Sequence, residues 1–173
     1  MKNSILKILT KIWLLTIILS FISCGNQDAK VSSSDKKEEI SIDNDDLKNW
    51  EEFTVNAIGN TMSEMKYDVT NITVKEGGWT RVNLINKGVD PAMLHNIVFV
   101  KYGTRKDVAM ECLKAGVSMD YIANSDDIIS GSKMANPGET VTLEFKSPKK
   151  GNYEFICTYP GHSDIMRGFY FVK

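Results

Sequence analysis

Histidine is nearly missing from this chain: there are two, His95 and His162, in 173 residues. Any site that needs several imidazoles is therefore excluded. Cysteine is almost as scarce. Cys24, Cys112 and Cys157 sit in unlike contexts, and no C-x-x-C occurs. An odd number in dissimilar settings argues against a disulfide framework. An excess of one charge is also lacking: the formal net charge is −1, which argues against nucleic-acid binding. The eight methionines are dispersed and form no tract. No internal repeat is visible. The apolar run from Ile12 to Ile22 falls short of the roughly 20 residues that a membrane-spanning helix needs.

That run is long enough for another purpose. Lys2, Lys7 and Lys11 precede it and Ser23-Cys24-Gly25 follows it, giving a charged start, an apolar middle and small residues at a cleavage point. Residues 1–23 therefore read as a lipoprotein-type signal peptide, with Cys24 as the lipidated residue. An uncleaved N-terminal anchor is the alternative. Either arrangement puts the rest of the chain outside the cytoplasmic membrane, in a periplasm or at a cell surface. Residues 24–54 carry nine acids against four lysines. A stretch with so few apolar side chains cannot offset its ordering entropy by burial, so it reads as a flexible acidic tether. Leu47 to Phe53 has the composition for one helical turn.

Residues 55–173 carry thirteen acids against fourteen bases and read as one near-neutral domain. Short alternating runs separated by Gly, Asn and Pro predict strands: Val55–Asn60, Lys66–Val74, Trp79–Ile85, His95–Val100, Thr140–Phe145, Tyr153–Cys157 and Gly168–Lys173. Such spacing suggests a β-sandwich. One segment breaks the pattern. Thr104-x-x-Asp107 resembles an N-terminal cap, Val108, Cys112 and Ala115 recur at helical spacing, and Gly116 is a stop. A short helix is expected there, with Cys112 as buried apolar filler.

The chemistry lies near the end of the chain. Cys157, His162 and Met166 are arranged as C-x4-H-x3-M. Thiolate and thioether are soft ligands and imidazole suits copper, so the set points to a copper that cycles between Cu(I) and Cu(II). A blue-copper site takes two histidines, one cysteine and a weak axial methionine. The second histidine must be His95, since no third exists. The plain alternative is a core cysteine, a surface histidine and a core methionine on one hairpin. A structural zinc site is the other competitor, but it would more often show paired C-x2-4-C or H-x3-5-H spacings. The two-residue period of a strand puts Tyr153, Phe155 and Cys157 on one face, so the thiol is delivered inward behind two aromatics.

Gly151 to His162 followed by Met166-Arg167-Gly168 resembles the copper loop of azurins, within the cupredoxin family, and Met93-Leu94-His95-Asn96 is similar to that family's first-histidine motif. The spacing favours the azurin or auracyanin branch over plastocyanins. The resemblance implies an all-β Greek-key sandwich of about eight strands with one helical excursion. It implies one copper held by His95, Cys157, His162 and Met166, with a weak axial backbone contact from Leu94, where the family has glycine. It further implies that Asn96 and Thr158 hydrogen-bond across the site, and that Met93, Tyr159, Pro160 and Ile165 ring an exposed edge of His162 where redox partners dock. Val89 and Pro91 extend that ring. The azurin disulfide is not carried over, because its cysteines are lacking here. The function implied is that of a monomeric, membrane-tethered one-electron carrier that is not itself an enzyme. It would serve c-type cytochromes or a copper- or haem-containing reductase or oxidase. Copper capture and delivery is the alternative, weakened by the absence of a Met- or His-rich tract.

Overall fold

A computed structural model describes residues 48–173. The signal segment, Cys24 and most of the expected tether lie outside the described residues. Nine strands, one α-helix and one 3-10 turn follow in order: β1 (Trp50–Ile58), β2 (Lys66–Tyr67), β3 (Asn71–Val74), β4 (Trp79–Asn86), β5 (Val98–Lys101), α1 (Arg105–Ala115), the 3-10 turn Val117–Met119, β6 (Ile128–Gly131), β7 (Thr140–Lys146), β8 (Gly151–Ile156) and β9 (Arg167–Val172). They form two sheets, β2-β1-β4-β7 and β3-β9-β8-β5-β6. The architecture is a Greek-key β-sandwich with one helical excursion.

The alternation read in the sequence becomes the inner face of each sheet. On β4, Thr80, Val82, Leu84 and Asn86 point inward and are buried. Val55 and Ala57 of β1 and Leu143 and Phe145 of β7 complete that face, while Ile72, Phe99, Phe155 and Tyr170 come from the other sheet. Phe99 is the hub of an aromatic cluster, with ring centroids 4.8 Å from Phe145, 4.9 Å from Tyr170 and 5.7 Å from Phe155. Gly168 makes room for this packing: a Cβ there would lie 2.2 Å from the Phe155 ring. The Phe155 ring thus crosses the neighbouring strand and supports the stretch that carries Cys157.

Several elements differ from expectation, each for a local reason. The first strand starts at Trp50, so residues 50–54, read as tether, are sheet, and no helical turn forms there. Parallel pairing of Trp50 through Ala57 with β4 supplies the backbone partners. The run 66–74 is two strands, not one. The Asp68 carboxylate accepts hydrogen bonds from the Asn56 N–H at 2.7 Å and from Asn56 Nδ2 at 2.6 Å. Beyond it the chain leaves one sheet, where β2 pairs with β1, and joins the other, where β3 pairs with β9. This split makes nine strands where about eight were expected. The strand expected from His95 begins only at Val98. Side chains satisfy the preceding backbone instead: the Asn96 carbonyl accepts from the Tyr67 hydroxyl, and the Ile97 N–H donates to Ser132 Oγ at 3.0 Å. Helix α1 forms with Val108 and Cys112 buried, and stops at Gly116 with φ 72°. Thr104 occupies the N-cap position without acting as a cap. Its hydroxyl turns back to the Lys101 carbonyl at 2.9 Å.

Candidate metal centre

His95 is held by an isolated two-residue bridge rather than by a strand. Its N–H donates to the Ala135 carbonyl at 3.2 Å, and the Ala135 N–H donates back at 2.7 Å. The Asn86 side chain braces both sides of this bridge, donating from Nδ2 to the carbonyls of Met93 at 2.7 Å and Ala135 at 3.0 Å. Cys157 follows the last residue of β8, on the inward side set by Phe155. The next nine residues fold back in tight turns. The His162 N–H donates to the Tyr159 carbonyl at 3.0 Å, the Met166 N–H to the His162 carbonyl at 2.8 Å, and the Cys157 N–H to the Met166 carbonyl at 3.0 Å. Gly161 takes φ 83°, a left-handed conformation that suits glycine. From outside, Arg105 at the start of α1 fastens this loop through the Ser163 carbonyl at 3.1 Å and the Asp164 carboxylate.

This scaffold brings three donor atoms together. Nδ1 of His95 lies 3.9 Å and Nδ1 of His162 lies 3.6 Å from the Cys157 sulfur. All three donors fall within 4.8 Å of one another, and all three residues are buried. Met166 is buried beside them, packed in the same core cluster as Cys157. Burial keeps the imidazoles neutral. Desolvation lowers the pKa of His95 to about 4, with a further contribution from His162, and lowers that of His162 to about 4. Both rings thus keep a lone pair for a cation. Burial pushes the Cys157 thiol up to about 11. Hydrogen bonds from the N–H groups of Asn96 and Tyr159 oppose that rise. Three lone-pair donors facing one another in a dry core, with polar hydrogens aimed at the sulfur, suit a soft cation.

The residues next to the ligands form a second frame. Asn96 Nδ2 donates to Thr158 Oγ1 at 2.7 Å, and the Thr158 N–H donates to Asn96 Oδ1 at 2.8 Å. The connection after the 3-10 turn braces this pair. Asn96 Nδ2 also donates to the Asp120 carbonyl at 3.0 Å, and Thr158 Oγ1 donates to the Tyr121 carbonyl at 2.6 Å. Asp120 and Tyr121 have φ of 50° and 51°. Two consecutive non-glycine residues in the left-handed region cost on the order of 1–2 kcal/mol each. Their carbonyls are thereby aimed at the two ligand-bearing segments. The Tyr121 ring packs edge-on against Tyr159, 5.6 Å between centroids, and Tyr159 lies 4.8 Å from the His162 ring.

The remaining expected site residues divide. Tyr159 and Pro160 are half-buried, Ile165 is 47 % exposed and Val89 and Pro91 are exposed. Met93 is buried instead of ringing the site from outside, because its backbone is drawn in by Asn86. The expected exposed edge of His162 is covered as well: the residue is 1 % exposed. The Met62 methyl lies against Gly161, 3.3 Å from where a Cβ would stand. Leu94 is half-buried and precedes the bridge. Sequence reasoning missed Met62, Tyr67, Arg105, Asp120 and Tyr121. Of these, Tyr67 had a signal, an aromatic on the buried side of an alternating run.

A two-sheet sandwich with two imidazoles and a thiol converging at one end of its core, beside a buried methionine, defines the blue-copper class of protein. Comparison with known proteins agrees. Residues 53–173 match the family described as copper binding proteins, plastocyanin/azurin family. Auracyanin-A of Chloroflexus aurantiacus is 35 % identical over 114 residues, 64 % of this chain and 69 % of that one. Azurin of Alcaligenes faecalis is 38 % identical over 93 residues, 50 % of this chain and 73 % of that one. The solved structure of auracyanin A, a "blue" copper protein, has a TM-score of 0.64 at 30 % identity and covers 72 % of this chain and 99 % of its own. The chain belongs to the plastocyanin/azurin family of copper-binding proteins.

Proposed function

We propose that this chain is a type 1 copper electron carrier, in which His95, Cys157, His162 and Met166 would hold one copper. The observation that carries the proposal is the convergence of two neutral imidazole nitrogens on one buried sulfur. Bound copper supplies one-electron cycling between Cu(II) and Cu(I). The protein's contribution is to keep the donors still. The bridge at Ala135, the Asn96–Thr158 pair and the Arg105 fastening hold the ligand segments in place. Hydrogen bonds to the Cys157 sulfur temper its donation to the metal.

Electrons would enter and leave at His162, beside the Tyr159 ring and near Pro160 and Ile165. Partners of the kind expected from the sequence, c-type cytochromes or a copper- or haem-containing reductase or oxidase, would dock there. Cys24 would tether the chain by lipid outside the cytoplasmic membrane. Delivery of copper to other proteins is less well served, since ligands 0–1 % exposed exchange poorly. A redox titration tests the proposal, combined with stopped-flow mixing against a reduced c-type cytochrome. One reversible electron per chain and rapid oxidation of the cytochrome are expected. A copper that cannot be reduced without leaving the protein would overturn it.

A further inference from the structure

The end of the sandwich opposite the metal centre has a charge pattern of its own. There β1 begins, the 75–78 turn joins β3 to β4, and residues 147–150 join β7 to β8. Contacts knit these pieces into one face: the Lys75 N–H donates to the Glu51 carboxylate at 2.8 Å, the Ser147 N–H to the Gly78 carbonyl at 2.8 Å, and the Glu76 N–H to the Lys173 carbonyl at 3.0 Å. Beneath the face, Thr80, Ser147 and Tyr170 close a buried hydrogen-bonded triad with separations of 2.8, 2.9 and 3.0 Å. The face is therefore rigid.

Lys75, Lys146, Lys149, Lys150 and Lys173 are all exposed on it. None of the five forms an ion pair among the described residues. The acids that share the face are Glu76 and Glu51, whose carboxylate is already engaged by the Lys75 N–H. The loops around the metal centre are mixed by contrast, with Lys66, Lys87 and Lys133 set among Glu64, Asp90, Glu139 and Asp164. At the rim of the basic face Trp50 and Trp79 pack together, 5.6 Å between centroids, with Lys48 Nζ 4.4 Å from the centre of the Trp79 ring. β1 also begins here, just after Lys48.

We propose that this lysine face is a docking surface for a membrane bearing anionic phospholipid headgroups. Lysines attract such a surface within a Debye length, and half-buried tryptophans beside cations are the side chains that settle at headgroup level. Docking in this sense turns the metal centre away from the bilayer and toward partners. The inference adds an orientation to the electron-carrier reading.

The test uses the full copper-loaded chain with vesicles of phosphatidylcholine, alone or with an equal part of phosphatidylglycerol. A membrane-impermeant amine reagent labels lysines, and peptide mass spectrometry reads each site. Phosphatidylglycerol should lower labelling of Lys75, Lys146, Lys149, Lys150 and Lys173 several-fold, leave Lys66, Lys87 and Lys133 unchanged, and lose its effect in high salt. In the Cys24→Ala chain, which cannot carry the lipid, Lys146→Glu, Lys149→Glu and Lys150→Glu should each weaken partitioning onto anionic vesicles by at least about fivefold. Equal labelling on both vesicle types, or protection of the metal-end lysines instead, would overturn the proposal. So would protection of the same five lysines without vesicles, which would assign the face to the chain's own acidic segment. The visible absorption of the same samples reports the copper site independently.

Discussion

Asn96 and Thr158 grip each other twice across the gap between the two ligand segments. Asn96 Nδ2 donates to Thr158 Oγ1 at 2.7 Å while the Thr158 N–H returns a bond of 2.8 Å to Asn96 Oδ1. One residue neighbours His95 and the other neighbours Cys157, so the pair sets the separation of those two ligands without touching a metal.

Asn96→Ala leaves the buried Thr158 N–H without its partner. A buried unsatisfied group costs about 1–3 kcal/mol. Thermal unfolding should show a loss of that size, with copper still bound and a shifted reduction potential. An unchanged potential would limit the pair to a structural role.

Tyr67 is the site residue with the greatest reach that sequence reasoning did not find. Its hydroxyl donates to the Asn96 carbonyl, next to His95. Removing it leaves that buried carbonyl without its donor and loosens the segment that carries His95. Tyr67→Phe is expected to shift the potential by tens of millivolts, on the scale where about 59 mV is a tenfold change for one electron. Square-wave voltammetry measures this directly, and an unchanged potential would contradict it.

The metal-free protein should carry a pH signature of its buried histidines. His95 and His162 titrate near 4 in the fold, against an ordinary value of 6.5. Between those values the unfolded chain binds protons that the folded chain does not. Folding stability is therefore intact above about pH 6.5 and falls as pH drops toward 4, by on the order of a few kcal/mol for the pair. Urea unfolding across that range should show the slope in the apoprotein. In the His95→Gln apoprotein the slope should be roughly halved.

Met166 has its backbone fixed by Cys157 and His162, so its side chain can change with the loop left in place. Met166→Leu should retain copper and raise the potential, since the thioether's weak donation favours Cu(II). Complete loss of metal would contradict an axial role.

How much of this was legible in the sequence follows from where the information sits. Cys157, His162 and Met166 lie within ten residues, and His95 was the only imidazole left to join them. The donor atoms of His95, Cys157 and His162 are those the fold brings together. The alternation in β4, β7 and β8 likewise marked the core, because one side of each strand had to be apolar. What was hidden acts through the backbone or at long range. The Asp120 and Tyr121 carbonyls belong to every residue type, and nothing in an Asp-Tyr pair announces two left-handed conformations. Trp50–Thr54 sits in a charged stretch and becomes strand only by parallel pairing with β4. Arg105 reaches a loop 58 residues away. Met62, which lies against Gly161, sits in a turn far from the copper loop in sequence.

Two imidazoles and one thiolate sharing a single copper in a rigid core give that copper an optical signature. Titration of the purified protein with Cu(II), followed by absorption with Cys157→Ser measured alongside, reads it. An intense blue thiolate-to-copper charge-transfer band should saturate at one copper per chain and be abolished in Cys157→Ser. A colourless protein that binds zinc tightly and gains no such band with copper would contradict it.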